Sequence, residues 1–309
     1  LALVEGGIDP ATPMLLLSEP DTLVLERVWP DLPSGIRFTA GSRVGVATLT
    51  ALADEPARVH LKIDTGMHRV GVDPADAVAV ASAIDADESL ELEGIWTHCA
   101  VADAPTDPFT AEQLKRFDAA LADVLAALAA KGSQPPMTHV ANSAAAIAHP
   151  ASRRDMVRLG IAMYGVAPSD ALEGRVALRP ALRLTATVTG IRTVERGESV
   201  SYGRRWFAEA PTRVATVSAG YADGVRRSSG AHGVEVLVRG RRWPIIGAVT
   251  MDQFMVAVDH EVEVGDEVVL IGRQADEEIT ANEVAARLAT IGYEVLTDIG
   301  PRVERIAGE

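Results

Sequence analysis

One cysteine in 309 residues, Cys99, leaves no partner for an internal disulfide and fits a reducing compartment. Its expected role is that of a small buried hydrophobe. Lysine is nearly as scarce, with only Lys62, Lys115 and Lys131. Basic residues number 29 against 43 acidic ones, a formal charge of −14, and they form no basic block. That balance excludes nucleic acid and anionic membrane surfaces as partners. An anionic ligand would have to be held by a few placed groups. No apolar run reaches 18 residues and no basic segment precedes an apolar one near residue 1. Neither a membrane-spanning helix nor a signal peptide is expected, and the reading is cytoplasmic. The seven histidines show no metal-ligand spacing, so no metal is expected. The chain opens on Leu1, and LALVEGG reads as the last turn of a helix stopped at Gly6-Gly7. A chain that opens inside a helix is expected to lack its beginning.

What is present is ordinary for a folded protein: 48% hydrophobic and 23% charged residues, enough for two domains. Apolar runs at residues 14–19, 36–41, 57–66, 90–100, 136–143 and 155–165 alternate with helical patterns. The clearest helices are ADAVAVASAID and TAEQLKRFDAALADVLAALAAKG, the second with an expected capping box at Thr110 and Gln113. Strand–helix alternation predicts a parallel sheet, here of six strands. No GxGxxG follows the first run, so a dinucleotide fold has no support. Beyond about residue 172 the texture turns β-rich, with short runs and frequent turns, and predicts a mostly antiparallel domain at 173–309. One helix, TANEVAARLATIG, is expected inside it, with a capping box at Thr280 and Glu283 and Gly292 near its stop.

If the first domain, 1–172, is a (β/α) barrel, its chemistry belongs at the C-terminal ends of its strands. The third run ends in Lys62, Asp64 and Arg69, the fourth in Thr97-His98, the fifth in HVANSAA, and the sixth carries Arg158 and Gly160. Asn142-Ser143 opens a helix and Gly160 permits a close backbone approach, a layout suited to a phosphorylated ligand.

The segments KIDTGMHRVG, THCAVAD, HVANSAA, VRLGIAMYG, SVSYGRRW, SAGYADGVRR, GAVTMDQFMV and GYEV, in this order, resemble the signature segments of the alanine racemase family. The resemblance implies a (β/α)8 barrel, here without its first two strands, followed by a C-terminal β domain. It implies pyridoxal 5'-phosphate as cofactor, alanine as substrate and a homodimer with composite sites. The implied reaction is two-base interconversion of L- and D-alanine, supplying D-alanine for peptidoglycan. Tyr202 matches the catalytic tyrosine, with His98 and Arg158 as the pair supplying nearby positive charge. Arg158 matches the arginine facing the cofactor's pyridine nitrogen. Asn142, Ser143, Gly160, Ile161 and Tyr293 match phosphate-binding positions. Arg69 and Met251 match substrate-contacting positions, with Asp252 beside Met251, and Arg227 is read as orienting the partner of Tyr202. Lys62 matches a lysine that the family carries as a carbamate, an anion that would hold Arg69.

Two departures stand out. Ala248 and Thr250 occupy places where the family often has arginine and cysteine. More consequentially, no segment resembles the family's VKANAYGHG with its Schiff-base lysine, and none of the three lysines replaces it. The expectation is therefore an N-terminally shortened racemase, inactive alone. The rival expectations are a non-catalytic, decayed paralogue that binds pyridoxal phosphate, and a barrel pyridoxal-phosphate carrier. The carriers lack the C-terminal β domain expected here.

Overall fold

A computed structural model describes residues 2–307. The chain divides into two compact units, residues 1–160 and 161–309.

The first unit begins with a short helix, α1 (Ala2–Glu5), ended at Gly7, whose φ of 99° suits glycine. Six strands follow: β1 (Met14–Leu15), β2 (Ile36–Ala40), β3 (Ala57–Lys62), β4 (Leu90–Trp96), β5 (Met137–Asn142) and β6 (Met156–Arg158). They pair in sequence order, every pair parallel, as the alternating pattern predicted. The helices between them are α2 (Thr22–Val28), α3 (Arg43–Leu52), α4 (Ala77–Asp85), α5 (Phe109–Ala130) and α6 (Ser143–Ala148). Side chains start three of them, because a cap oxygen satisfies an N–H that the first turn leaves open. Asp21 accepts from Val24 N–H, Ser42 from Gly45 N–H, and Asn142 from Ala145 N–H. Strands β3 and β4 are dry on both faces through most of their length, as a helix-covered parallel sheet requires.

Two helix readings need correction. Pro108, not a capping side chain, precedes α5, and Thr110 and Gln113 are fully buried instead of forming a capping box. Burial won over the local cap because Gln113 has tertiary partners to satisfy. In the second unit, α7 (Ala281–Arg287) is capped by Thr280, but the Glu283 carboxylate binds Arg242 and leaves the box half made. The helix also stops early. Ala289 turns the chain at a φ of 54°, and Gly292 opens a separate helix, α8 (Gly292–Thr297), where the sequence reading had it as a stop. The sixth apolar run is likewise shorter than its pattern: only Met156–Arg158 is strand, and Ile161–Tyr164 is a 3₁₀ turn.

The remaining strands of the second unit are β7 (Leu184–Val194), β8 (Ser199–Val200), β9 (Trp206–Phe207), β10 (Thr212–Val217), β11 (Glu235–Val238), β12 (Arg241–Ile246), β13 (Phe254–Val258), β14 (Glu267–Gln274) and β15 (Glu277–Ile279). Their pairing is antiparallel, in the order β11-β12-β13-β10-β7-β14-β15. Because β11 also pairs with β14, six of these strands close on themselves and leave no long exposed edge. Inside lie Val188, Ala215, Val217, Val236, Phe254, Val256 and Val268. The period-two burial of β13, with Phe254, Val256 and Val258 inward, is what the sequence alternation encodes.

Candidate active site at the strand ends

The last residue of β3 is Lys62, only 2% exposed, with its Nζ 4.5 Å from the centroid of the Trp96 ring. Its ammonium makes no hydrogen bond or ion pair among the described residues. Burial first, then the charges of Arg69 and Arg158, push its pKa down to about 8, against a weaker pull from Asp64. Roughly one Lys62 amine in ten is then unprotonated at pH 7, against fewer than about one in a thousand for a free lysine. Asp64 builds the loop that carries Arg69. Its Oδ1 accepts from the N–H groups of Gly66 (2.8 Å) and His68 (3.1 Å), and a bridge between Ile63 and Val72 closes the loop.

Arg158, ending β6, has most of its donors occupied. Its Nη2 donates to the carbonyls of Thr97 (2.8 Å) and Val140 (2.9 Å), and its Nη1 to His139 Nδ1 (2.7 Å). Its Cζ lies 4.4 Å from the centroid of Trp96. The Nε is buried and has no acceptor. His98 Nδ1 is 3.5 Å from Arg158 Nη2. Burial first, then Arg158, Arg69 and Lys62, lower the His98 pKa to about 4. This corrects the reading of His98 as a source of positive charge. At neutral pH its ring is uncharged, and the cation of the pair is Arg158.

The loop holding His98 is fixed from α5. Gln113 Oε1 accepts from Ala100 N–H (2.8 Å), and its Nε2 donates to the His98 carbonyl (3.1 Å) and to Thr65 Oγ1 (3.3 Å). Thr65 and Thr97 share a hydrogen bond of 2.9 Å. One glutamine thus joins the loops after β3 and β4. Cys99 is buried and its thiol is pushed up to about 11 by that burial, so it stays protonated, as a packing residue would. On the far side, Gly160 N–H donates to Ser143 Oγ at 2.8 Å, beside the capped start of α6. A Cβ on Gly160 would meet nothing within 4 Å, so the space there is open.

The second unit carries its own candidates. Tyr202 is 68% exposed and lies in a tight turn. Its neighbours Ser201 and Arg204 hold φ values of 67° and 47°, a conformation that costs non-glycine residues about 1–3 kcal/mol each. Ser201 Oγ donates to the Ala248 carbonyl at 2.6 Å and so pins that turn. Met251 is 53% exposed, and its carbonyl accepts from Ala222 N–H at 3.1 Å. A side chain on Gly220 would collide with that carbonyl. Asp252 pairs with Arg302 at 2.7 Å, and Arg302 also reaches Asp223 at 2.9 Å. The Arg227 side chain makes no hydrogen bond or ion pair among the described residues, whereas Arg226 binds Asp298 (2.7 Å) and Glu294 (2.8 Å). Thr250 Oγ1 donates to the Gln253 carbonyl and so ties its own loop. Ile161 is buried, and Tyr293 is the second residue of α8. No cluster suited to a metal ion occurs among the described residues.

Sequence reasoning missed Trp96, His60 and Glu93, placed His139 only within the HVANSAA strand end, and read Gln113 as a helix cap. The signal for the first two was strand parity. His60 lies two residues before Lys62, and Trp96 two before His98, so each shares a direction with a residue already singled out.

Burial carries a consequence for stability. His60, His98 and His139 all have lowered pKa values, about 4 for His98 and about 2 for His139, with desolvation the largest cause in each. In the unfolded chain they take up protons near pH ~6.5, and in the fold they do not. Unfolding free energy should therefore be full above about pH 6.5 and fall steadily as pH drops through about 4. Urea unfolding at a series of pH values measures this. A midpoint flat between about pH 7 and 5 would contradict the neutral assignments.

A parallel β/α-barrel sheet with Lys62, Arg69 and Arg158 at its strand ends, followed by a closed antiparallel β domain, defines a two-domain barrel protein. Comparison with known proteins narrows the class. Residues 2–168 match the alanine racemase N-terminal domain and residues 181–307 the alanine racemase C-terminal domain. An alanine racemase of Symbiobacterium thermophilum is 46% identical over 254 residues, 82% of this chain and 66% of the relative. One of Cutibacterium acnes is 38% identical over 98% of this chain and 80% of its own length. Among solved structures, alanine racemase from E. faecalis superposes with a TM-score of 0.86 at 36% identity, covering 98% of this chain and 79% of the other. The chain belongs to the alanine racemase family.

Proposed function

We propose that the protein serves the interconversion of L- and D-alanine with pyridoxal phosphate as cofactor, supplying the base on one face through Tyr202, while none of its three lysines is placed to form the Schiff base or to act on the other face. One observation carries the cofactor reading. Arg158 Nε is a buried donor without an acceptor, on a guanidinium whose other contacts are made to Thr97, Val140 and His139. An aromatic ring nitrogen supplies the missing lone pair, and an arginine, which does not give up its proton, would leave that nitrogen unprotonated. Ser143 Oγ, beside Gly160 and the Asn142-capped start of α6, suits a phosphate, and the family resemblance adds Ile161 and Tyr293. The residues present therefore fit the cofactor's ring and phosphate.

When bound, pyridoxal phosphate withdraws electron density from the substrate's α-carbon and makes its proton labile. The chain's own residues then divide the work. Tyr202 takes or returns the α-proton on one face, Arg69 receives the substrate carboxylate, and Met251 bounds the substrate. Asp252, paired with Arg302 beside Met251, and Arg227, whose guanidinium has no partner among the described residues, are the further groups the resemblance assigns to this site. Lys62, an amine kept partly neutral between two cations, is suited to carry a carbamate. That change would turn its repulsion of Arg69 into charge-assisted hydrogen bonds. Lys115 is exposed on α5, and Lys131 pairs with Asp85 at 3.6 Å, so neither is placed to act as the second base. The exposure of Tyr202 and Met251 supports composite sites in a homodimer, each copy lending both residues to the other. The cellular role proposed with this activity is supply of D-alanine for peptidoglycan in the cytoplasm. Among the described residues no helix is long and apolar enough to cross a membrane.

The test is binding. Pyridoxal phosphate should saturate one site per chain, pyridoxal without phosphate should bind far more weakly, and Ser143→Ala should weaken the phosphate form about tenfold. Borohydride reduction followed by peptide mapping should find no adduct on Lys62. Absence of saturable binding, or a stoichiometric adduct on Lys62, overturns the assignment.

A further inference from the structure

Beneath Arg158 lies a line of hydrogen bonds that the reaction as described does not use. His139 Nδ1 faces Arg158 Nη1 at 2.7 Å, and His139 Nε2 faces His60 Nδ1 at 2.9 Å. His60 Nε2 faces Glu93 Oε2 at 2.9 Å, and Arg37 Nε closes the line on the same carboxylate at 3.1 Å. Five strands, β2 to β6, each contribute one residue.

The tautomers follow from chemistry. An arginine can only donate, so His139 Nδ1 must accept and its Nε2 must carry the proton. That proton goes to His60 Nδ1, which leaves the His60 proton on Nε2, directed at Glu93. Both imidazoles are therefore neutral, and the ladder is polarised one way, from a cation to a carboxylate. Because arginine ends it, the ladder cannot pass protons, and its use is orientation.

The sheet is shaped to permit this arrangement. The pairing of β3 with β4 shifts register between Val59 and His60, which leaves Glu93 as the extra residue of a bulge. Bulges re-aim side chains, and this one brings Glu93 to His60. Beside it stands Gly94, where any Cβ would collide with the His60 ring. Arg158, for its part, has no carboxylate within ion-pair distance among the described residues.

We propose that Glu93 is a positioning residue: through two neutral imidazoles it holds the Arg158 guanidinium in place while leaving that guanidinium a full cation with Nε free to donate. A carboxylate placed directly on Arg158 would compete for those donors, and the intervening histidines prevent this. The proposal rests on the racemase reading for its consequence in turnover, but not for the hydrogen-bond pattern.

The experiment uses the chain labelled with ¹⁵N-histidine and ¹⁵N-arginine, with pyridoxal phosphate supplied. Side-chain spectra of wild type should show His60 and His139 as neutral Nε2–H tautomers at about pH 7. The Arg158 side-chain protons should be slow to exchange. Glu93→Leu should break the single-tautomer pattern and speed exchange at Arg158. In an enzyme that also carries the Schiff-base lysine it should lower kcat about tenfold with little change in KM. Glu93→Gln, which keeps an acceptor for His60, should restore most of each. Should Glu93→Leu not fold, the wild-type spectra and Glu93→Gln still decide. An Nδ1–H tautomer or a charged ring at His139 overturns the proposal, as does a folded Glu93→Leu with unchanged tautomers and Arg158 exchange. Should the tautomers and the exchange effect appear without saturable binding of pyridoxal phosphate in wild type, the ladder stands and the racemase reading fails.

Discussion

Arg158→Ala is expected to lower the unfolding free energy by about 3–5 kcal/mol, because it strands three buried acceptors whose loss of a partner costs ~1–2 kcal/mol each. Those acceptors are the carbonyls of Thr97 and Val140 and the Nδ1 of His139. The change should also be felt by its neighbours. Arg158 is one cause of the lowered pKa of both Lys62 and His98, so both should rise in the variant. Arg158→Lys keeps the charge, but one ammonium cannot span all three acceptors, and it should recover only part of the stability. Urea unfolding together with side-chain titration measures both effects. Wild-type stability in Arg158→Ala would mean that water satisfies these groups and that the site is wetter than described.

Tyr202→Phe should behave in the opposite manner, leaving stability nearly untouched and removing chemistry. The ring is 68% exposed and the substitution deletes one hydroxyl, so the fold has little to lose. If that hydroxyl is the base on one face of the substrate, its loss should slow removal of the α-proton from L-alanine about 10²–10⁴-fold. Removal from D-alanine, which occurs on the other face and needs a second base that none of Lys62, Lys115 and Lys131 supplies, should change far less once such a base is present. The strained turn makes a second point. Ser201→Gly should relax the φ of 67° at Ser201 and stabilise the domain while loosening Tyr202.

The parts of this structure written in local pattern were legible in the sequence. Six strands in order, the Asn142 cap and the antiparallel second domain each follow from periodicity or capping residues within a short window. Gln113 was misread for a physical reason: a Thr-x-x-Gln spacing satisfies a helix end only when the glutamine has no better partner. Here Ala100, His98 and Thr65 supply three. The Glu93–His60–His139 line was invisible because its bonded residues are 33 and 79 positions apart in sequence. It meets only after a bulge that no pattern of alternation announces. His98 was found, but its charge state was not, since that depends on the burial and the three cations around it.

The central claim is that Tyr202 and the strand-end site act together on alanine bound to pyridoxal phosphate. Its most direct measurement is deuterium uptake at the α-carbon of L- and D-alanine in heavy water, with and without pyridoxal phosphate, for wild type and Tyr202→Phe. The account predicts uptake that requires the cofactor and, for L-alanine, requires the Tyr202 hydroxyl. Cofactor-independent exchange, or equal losses for the two enantiomers in Tyr202→Phe, would contradict it.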